Sequence, residues 1–172
     1  MTPLFLGLLL AALLATDTFA EPPTGFAEFP WGTSAQVVKT ELLAKRCRST
    51  SESRRGWYSL QCNDYQVEGL SVPILRLDFE PDDSLAGYSM NLARGSYRRF
   101  RDLSVQRFGA PTTQRRLPWQ GAVLSWRSAS VTATLTEDCG PDASCMEVTT
   151  PALERRRQAF IDRQKRDASQ SF

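Results

Sequence analysis

The stretch that most constrains this chain is Leu75-Arg76-Leu77-Asp78-Phe79-Glu80, where apolar and charged side chains alternate without a break. Successive side chains of an extended strand point to opposite faces, so this order dictates a β-strand with one apolar and one wet face. Pro81-Asp82-Asp83-Ser84 supplies turn chemistry, and Leu85, Tyr88, Met90 and Leu92 read as the returning strand. An isolated two-stranded hairpin is marginal in water, so its dry side needs more strands and a covering layer.

The sequence offers both. Thr33 or Ser34 can cap a helix over 35–46, in which Ala35, Val38 and Leu42 share a face while Lys39 and Lys45 look outward. Ser96 is placed to cap a second helix whose Tyr97, Phe100, Leu103 and Phe108 are spaced to face a core, with Arg98, Arg99, Arg101, Asp102 and Arg107 on the remaining surface. Gly109 and Pro111 end it. Further alternating runs are Tyr58, Leu60 and Cys62, then Ala122, Leu124 and Trp126, then Val131, Ala133 and Leu135, and last 146–150. The polar stretch 49–55 and the segment that carries Trp119 have loop composition.

A helix followed by an antiparallel meander therefore occurs twice, over 34–93 and over 96–150. The expected class is α+β, one antiparallel sheet built from two helix-then-meander units with their helices on one face. After Pro151, residues 151–172 are mostly charged, with Phe160 and Ile161 as the main large apolar side chains. This segment reads as a marginal helix or a frayed tail.

Residues 1–20 carry an apolar run from Leu4 to Leu14 and a small-residue exit at Thr18-Phe19-Ala20, the pattern of a secretory signal cleaved before Glu21. The run is shorter than the roughly 20 residues a membrane-spanning helix needs, so no stable membrane insertion is expected after cleavage. Residues 21–33 form a Pro-rich lead. The remaining 152 residues hold 21 basic and 18 acidic side chains. That net charge is too small to argue for nucleic acid, and a single domain over 34–150 suits the length.

Cys47, Cys62, Cys139 and Cys145 all follow the leader. An even count in an exported chain reads as disulfides. Three pairings are open, and proximity within one supersecondary unit favours Cys47 with Cys62 and Cys139 with Cys145. A bridge closing the first loop of about fifteen residues is worth roughly 3 kcal/mol in the chain-entropy account. The spacing does not suit zinc, and the chain has no histidine.

The missing histidine also removes Ser-His-Asp and Cys-His machinery and the commonest general base near neutral pH. No phosphate-binding or dinucleotide-binding glycine loop and no calcium loop is present, and no cofactor or metal is expected. The pairs Asp78 with Glu80, Asp82 with Asp83, and Glu137 with Asp138 are carboxylates that glycoside hydrolysis can use, yet each is placed on a wet face or at a turn. Recognition has better candidates, because Trp and Arg are the side chains enriched at interface hot spots. Trp119, with Arg115 and Arg116 close by in sequence, is the first of these. Trp31 is a second candidate, equally suited to lidding the entry of the first helix.

The run Phe29-Pro30-Trp31-Gly32-Thr33-Ser34 followed by Val37, Val38 and Leu42, and the later Phe108-Gly109-Ala110-Pro111, resemble segments of small bacterial periplasmic proteins of unknown role. The doubled helix-then-meander order is similar to the fold of the β-lactamase inhibitor protein type. That resemblance implies a rigid scaffold and gives no functional residue. Together these readings point to a periplasmic or secreted, non-catalytic binding module acting on another envelope or exported protein. A carboxylate-dependent hydrolase and a structural envelope component are the alternatives.

Overall fold

The structure is a computed structural model that describes residues 22–53 and 57–169. The leader expected over 1–20 lies outside the described residues. The chain opens with a two-stranded ribbon, β1 (Gly25–Phe26) and β2 (Phe29–Pro30), inside what reads in the sequence as a lead segment. Phe26 and Phe29 are buried, so the ribbon is fastened to the core by its two phenylalanines.

Helix α1 follows in three pieces: Ala35–Val38 and Ala44–Arg46 are α-helical, and Lys39–Leu43 between them is a π-helical turn. The hydroxyl of Ser34 accepts from the Val37 N–H and so caps the helix. The wider turn brings two successive leucines, Leu42 and Leu43, into the interior. A regular helix of 3.6 residues per turn would have set them 100° apart.

Four antiparallel strands come next, β3 (Ser49–Ser53), β4 (Tyr58–Val67), β5 (Leu70–Phe79) and β6 (Leu85–Ala93). Helix α2 (Tyr97–Phe108) starts the second unit and ends on Gly109, whose φ of 78° suits glycine. Ser96 makes no capping bond, because the chain enters α2 through a short 3-10 turn over Arg94–Ser96. Four more strands follow: β7 (Thr113–Leu117), β8 (Gly121–Arg127), β9 (Thr132–Gly140) and β10 (Ala143–Thr149). All eight form one sheet in the order β3-β4-β5-β6-β10-β9-β8-β7. Each unit is a meander of four neighbours, and the last strands of the two meanders, β6 and β10, pair at the centre.

The α+β class and the single antiparallel sheet agree with the alternation read in the sequence. Both disulfides are present, Cys47 with Cys62 and Cys139 with Cys145. The first ties the end of α1 to β4, and the second closes the β9–β10 hairpin. Leu60, Leu75, Leu77, Trp126, Leu135 and Met146 share one core with Val38, Leu42, Phe100 and Phe108 of α1 and α2. Trp126 meets Phe108 edge to face and donates to the Gly109 carbonyl at 2.9 Å, which fastens the end of α2 to the sheet.

Two loop expectations fail. Residues 49–53 and 113–117, expected as loops, are the strands at the two edges of the sheet. Their side chains are almost all exposed, so no apolar period marks them. The C-terminal segment, expected as a marginal helix or tail, is helix α3 (Pro151–Ser169), which lies against the polar face of the sheet. The two carboxylates on the charged side of the Leu75–Glu80 alternation, Asp78 and Glu80, are therefore covered, while Arg76 stays partly exposed. Asp78 is fully buried and is met by Arg157 and Arg76, by the indole N–H of Trp57 at 2.8 Å and by the Ser59 hydroxyl.

Arg157 spans Asp78 of β5 and Glu147 of β10, and Arg156 meets Glu80. Trp57 takes the Arg157 guanidinium over its ring and the Phe160 ring edge-on. Leu153 is the one fully buried side chain of α3, and it sits over Gly87, where an added Cβ would come within 2.7 Å of its methyl carbon. Gly87 thus lets the helix approach the strand. Among the described residues no helix is long and apolar enough to cross a membrane.

Candidate functional site

Pro118-Trp119-Gln120 is the tip of the β7–β8 hairpin. The turn closes through Gln120 N–H to the Leu117 carbonyl at 3.3 Å, and Gly121 leaves it with a φ of 62°. A second layer braces it from β9. The Asp138 N–H donates to the Gln120 carbonyl at 3.0 Å, and the Glu137 carboxylate accepts the Ala122 N–H at 2.8 Å. The Cys139–Cys145 bridge begins at the residue next to Asp138, so tip and disulfide share one end of the sheet.

On this braced tip Trp119 is 90% exposed. A tryptophan buries a large area when it finds a partner, and leaving it in water forgoes that gain. Most loop tryptophans in small domains fold back over a core edge, and this one does not. Trp119 lines a shallow concavity of about 600 Å³ with Pro118, Gln120, Asp138, Cys139 and Gly140, which makes the tip and the disulfide hairpin one continuous surface.

Comparison with known proteins supplies no relative: no family model, curated protein or solved structure matches the chain. The geometry alone carries the functional reading.

Arg115 and Arg116 are both exposed on β7 and point to opposite sides of the sheet, as neighbours on a strand must. Arg116 faces α2, pairing in register with Ala122, and its guanidinium lies 3.9 Å from Glu137. It lines a groove of about 430 Å³ between α2 and β7 whose other walls include Tyr97, Arg98, Arg101, Val105 and Leu124. The structure thus joins Trp119 and Arg116 along one hairpin and adds a helix face that sequence order alone did not connect to them. The arginine run of α2 was the only available signal.

Trp31 belongs elsewhere. Its neighbour Gly32 donates to the Leu85 carbonyl, at the β5–β6 turn and so at the opposite end of the strands from Trp119. The Trp31 ring stacks on Tyr88 at 6.2 Å, and its N–H donates to the Pro23 carbonyl at 2.9 Å. It lids the core at the entry to α1.

The carboxylates expected on wet surface divide. Asp78 and Glu80 lie beneath α3 and are met by arginines. Asp82 stays at the turn, where the Ser84 hydroxyl and then the Ser84 N–H hold its carboxyl below the usual range. Glu137 braces the Trp119 hairpin. A third concavity, which no sequence feature announced, is an apolar cleft of about 80 Å³ between α2 and the β1–β2 ribbon, lined by Phe26, Tyr65, Tyr88, Met90, Phe100 and Phe108.

Proposed function

We propose that this protein is an exported, non-catalytic binding module that grips another envelope or exported protein with the Trp119 hairpin. The observation that carries the reading is one nearly fully exposed tryptophan on a turn fixed to β9 by a backbone bond and by the Glu137 carboxylate, and flanked by a disulfide. A rigid tip loses little freedom on binding, so the area that Trp119 buries converts efficiently into affinity. Two disulfides and the leader-like N-terminus support an oxidising compartment outside the cytoplasm. The doubled helix-and-meander scaffold, with its helices and strands around one core, supports recognition by surface.

The test is quantitative capture from envelope extract with the wild-type protein and with Trp119→Ala side by side. A hot-spot tryptophan costs about 2 kcal/mol or more when truncated, or roughly thirtyfold in affinity. The expected result is a protein retained by the wild type and lost from the variant. Equal retention by both, or nothing retained by either, would refute the reading.

A further inference from the structure

The groove between α2 and β7 holds an imbalance that the fold does not explain. Tyr97 is 6% exposed, and its hydroxyl is buried with no hydrogen-bond partner among the described residues. It lies among the charges of Arg101, Arg116 and Glu137. A buried hydroxyl without a partner is costly, and such groups mark strain, an unseen water or a ligand's place. Around it stand Arg98 and Arg101 from α2 and Arg116 from β7.

Little among the described residues occupies these cations. Arg116 only grazes Glu137 at 3.9 Å, and that carboxylate already accepts the Ala122 N–H. Arg101 leans on its neighbour Asp102 at 2.7 Å, an exposed pair of the kind that contributes little. The floor is apolar, with Ala122, Leu124 and Pro111, and Val105 stands 38% exposed on the rim.

We infer that this groove receives an acidic segment of the partner protein, seating a carboxylate against Arg98, Arg101 and Arg116 beside an apolar side chain on Val105 and Leu124. The inference rests on the binding reading above, since Arg116 and Trp119 lie on one hairpin and a partner that covers the tip reaches the groove. Guanidinium forks match carboxylates in geometry. Glu137 inside the groove opposes a multiply charged anion, and the mild net charge of +2 gives no broad field for a polyanion. A groove of about 430 Å³ fits a short peptide stretch better than a single ion. Tyr97 would regain a partner when the segment or its bridging water arrives.

The probe is a pair of synthetic peptides, one alternating Asp with Leu and one alternating Asn with Leu, titrated into the isotope-labelled protein and followed by amide resonances. Inorganic phosphate and phosphatidylglycerol vesicles form the other arms. The Asp peptide should move Tyr97, Arg98, Val105 and Arg116, and the Asn peptide should not. Replacing both Arg98 and Arg116 by Gln should weaken the Asp peptide at least about tenfold. Tyr97→Phe should weaken it a few-fold yet raise the melting temperature of the free protein, a combination that a purely structural hydroxyl would not give.

Trp119→Ala should leave peptide binding unchanged, so the groove and the tip can fail separately. Equal capture by wild type and Trp119→Ala, or capture by neither, with intact peptide binding would sink only the tip. Equal shifts from both peptides, unchanged affinity in the double arginine variant, or response to phosphate or vesicles without response to the peptide would overturn the groove.

Discussion

The two faces of the sheet are held down by different forces. On one face, α1 and α2 meet the strands through buried leucines, phenylalanines and Trp126. On the other, α3 meets the same strands through Arg156, Arg157, Asp78, Glu80 and Glu147, with Leu153 as its one fully buried apolar side chain. The first kind of contact is roughly proportional to area and is not screened by salt as charges are. The second depends on complete pairing, because a buried ion is worth little with its partner and costs several kcal/mol without it. The comparison teaches that a charged strand face need not be a solvent face.

Truncations on each side should behave differently. Trp126→Ala, which leaves a cavity under α2, is expected to cost about 3–5 kcal/mol in urea unfolding, by the same amount at low and high salt. Asp78→Ala leaves Arg157 only Glu147 and takes the acceptor from the Trp57 N–H and the Ser59 hydroxyl, and is expected to cost about 3 kcal/mol. Joint replacement by Asp78→Leu and Arg157→Met should recover most of that loss, since an apolar pair of similar volume does the same work. If the double variant is no better than the single one, the ionic face is more than a pairing requirement and the contrast weakens.

Alkaline titration sharpens the apolar side. Burial pushes the Tyr88 hydroxyl from its ordinary 10 up to about 12. Its contribution is therefore complete below pH 10 and is lost as pH rises through about 12, because the unfolded phenol ionises first. The loss is on the order of 2–3 kcal/mol. Tyr88→Phe should flatten stability across that window and leave neutral pH nearly untouched. The smallest effect belongs to the binding tip: Trp119→Ala should shift unfolding by no more than about 0.5 kcal/mol. A larger loss would mean that the exposed ring supports the fold.

How much of this was legible in the sequence follows from the same contrast. Strands with one apolar face announced themselves by period, and the cysteine spacing drew both bridges. The edge strands did not, because β3 reads Ser-Thr-Ser-Glu-Ser and β7 reads Thr-Gln-Arg-Arg-Leu. Edges are kept polar to discourage pairing with other chains, so the pattern that identifies a strand is absent there. The docking of helix α3 on the sheet was hidden for a related reason: its holding residues are charged, and a charged helix resembles a solvated one. Gly87 in the middle of a strand was the available clue to a close approach. Trp119 was legible as a candidate, while its exposure was not, because a turn tryptophan can lie down or stand out and only the bracing from β9 decides.

The strand order also bears on how the molecule assembles. Six of the seven pairings in the sheet join neighbours in sequence, and only β6 with β10 does not, linking Ala93 to Ala143 at one end and Gly87 to Thr149 at the other. Each meander can zip from its own turns, and the middle seam must wait for a loop of some fifty residues to close. Until it does, β6 and β10 stand as bare apolar margins, the species most prone to clump. A molecule wired this way makes its quick decisions locally and its single slow one last.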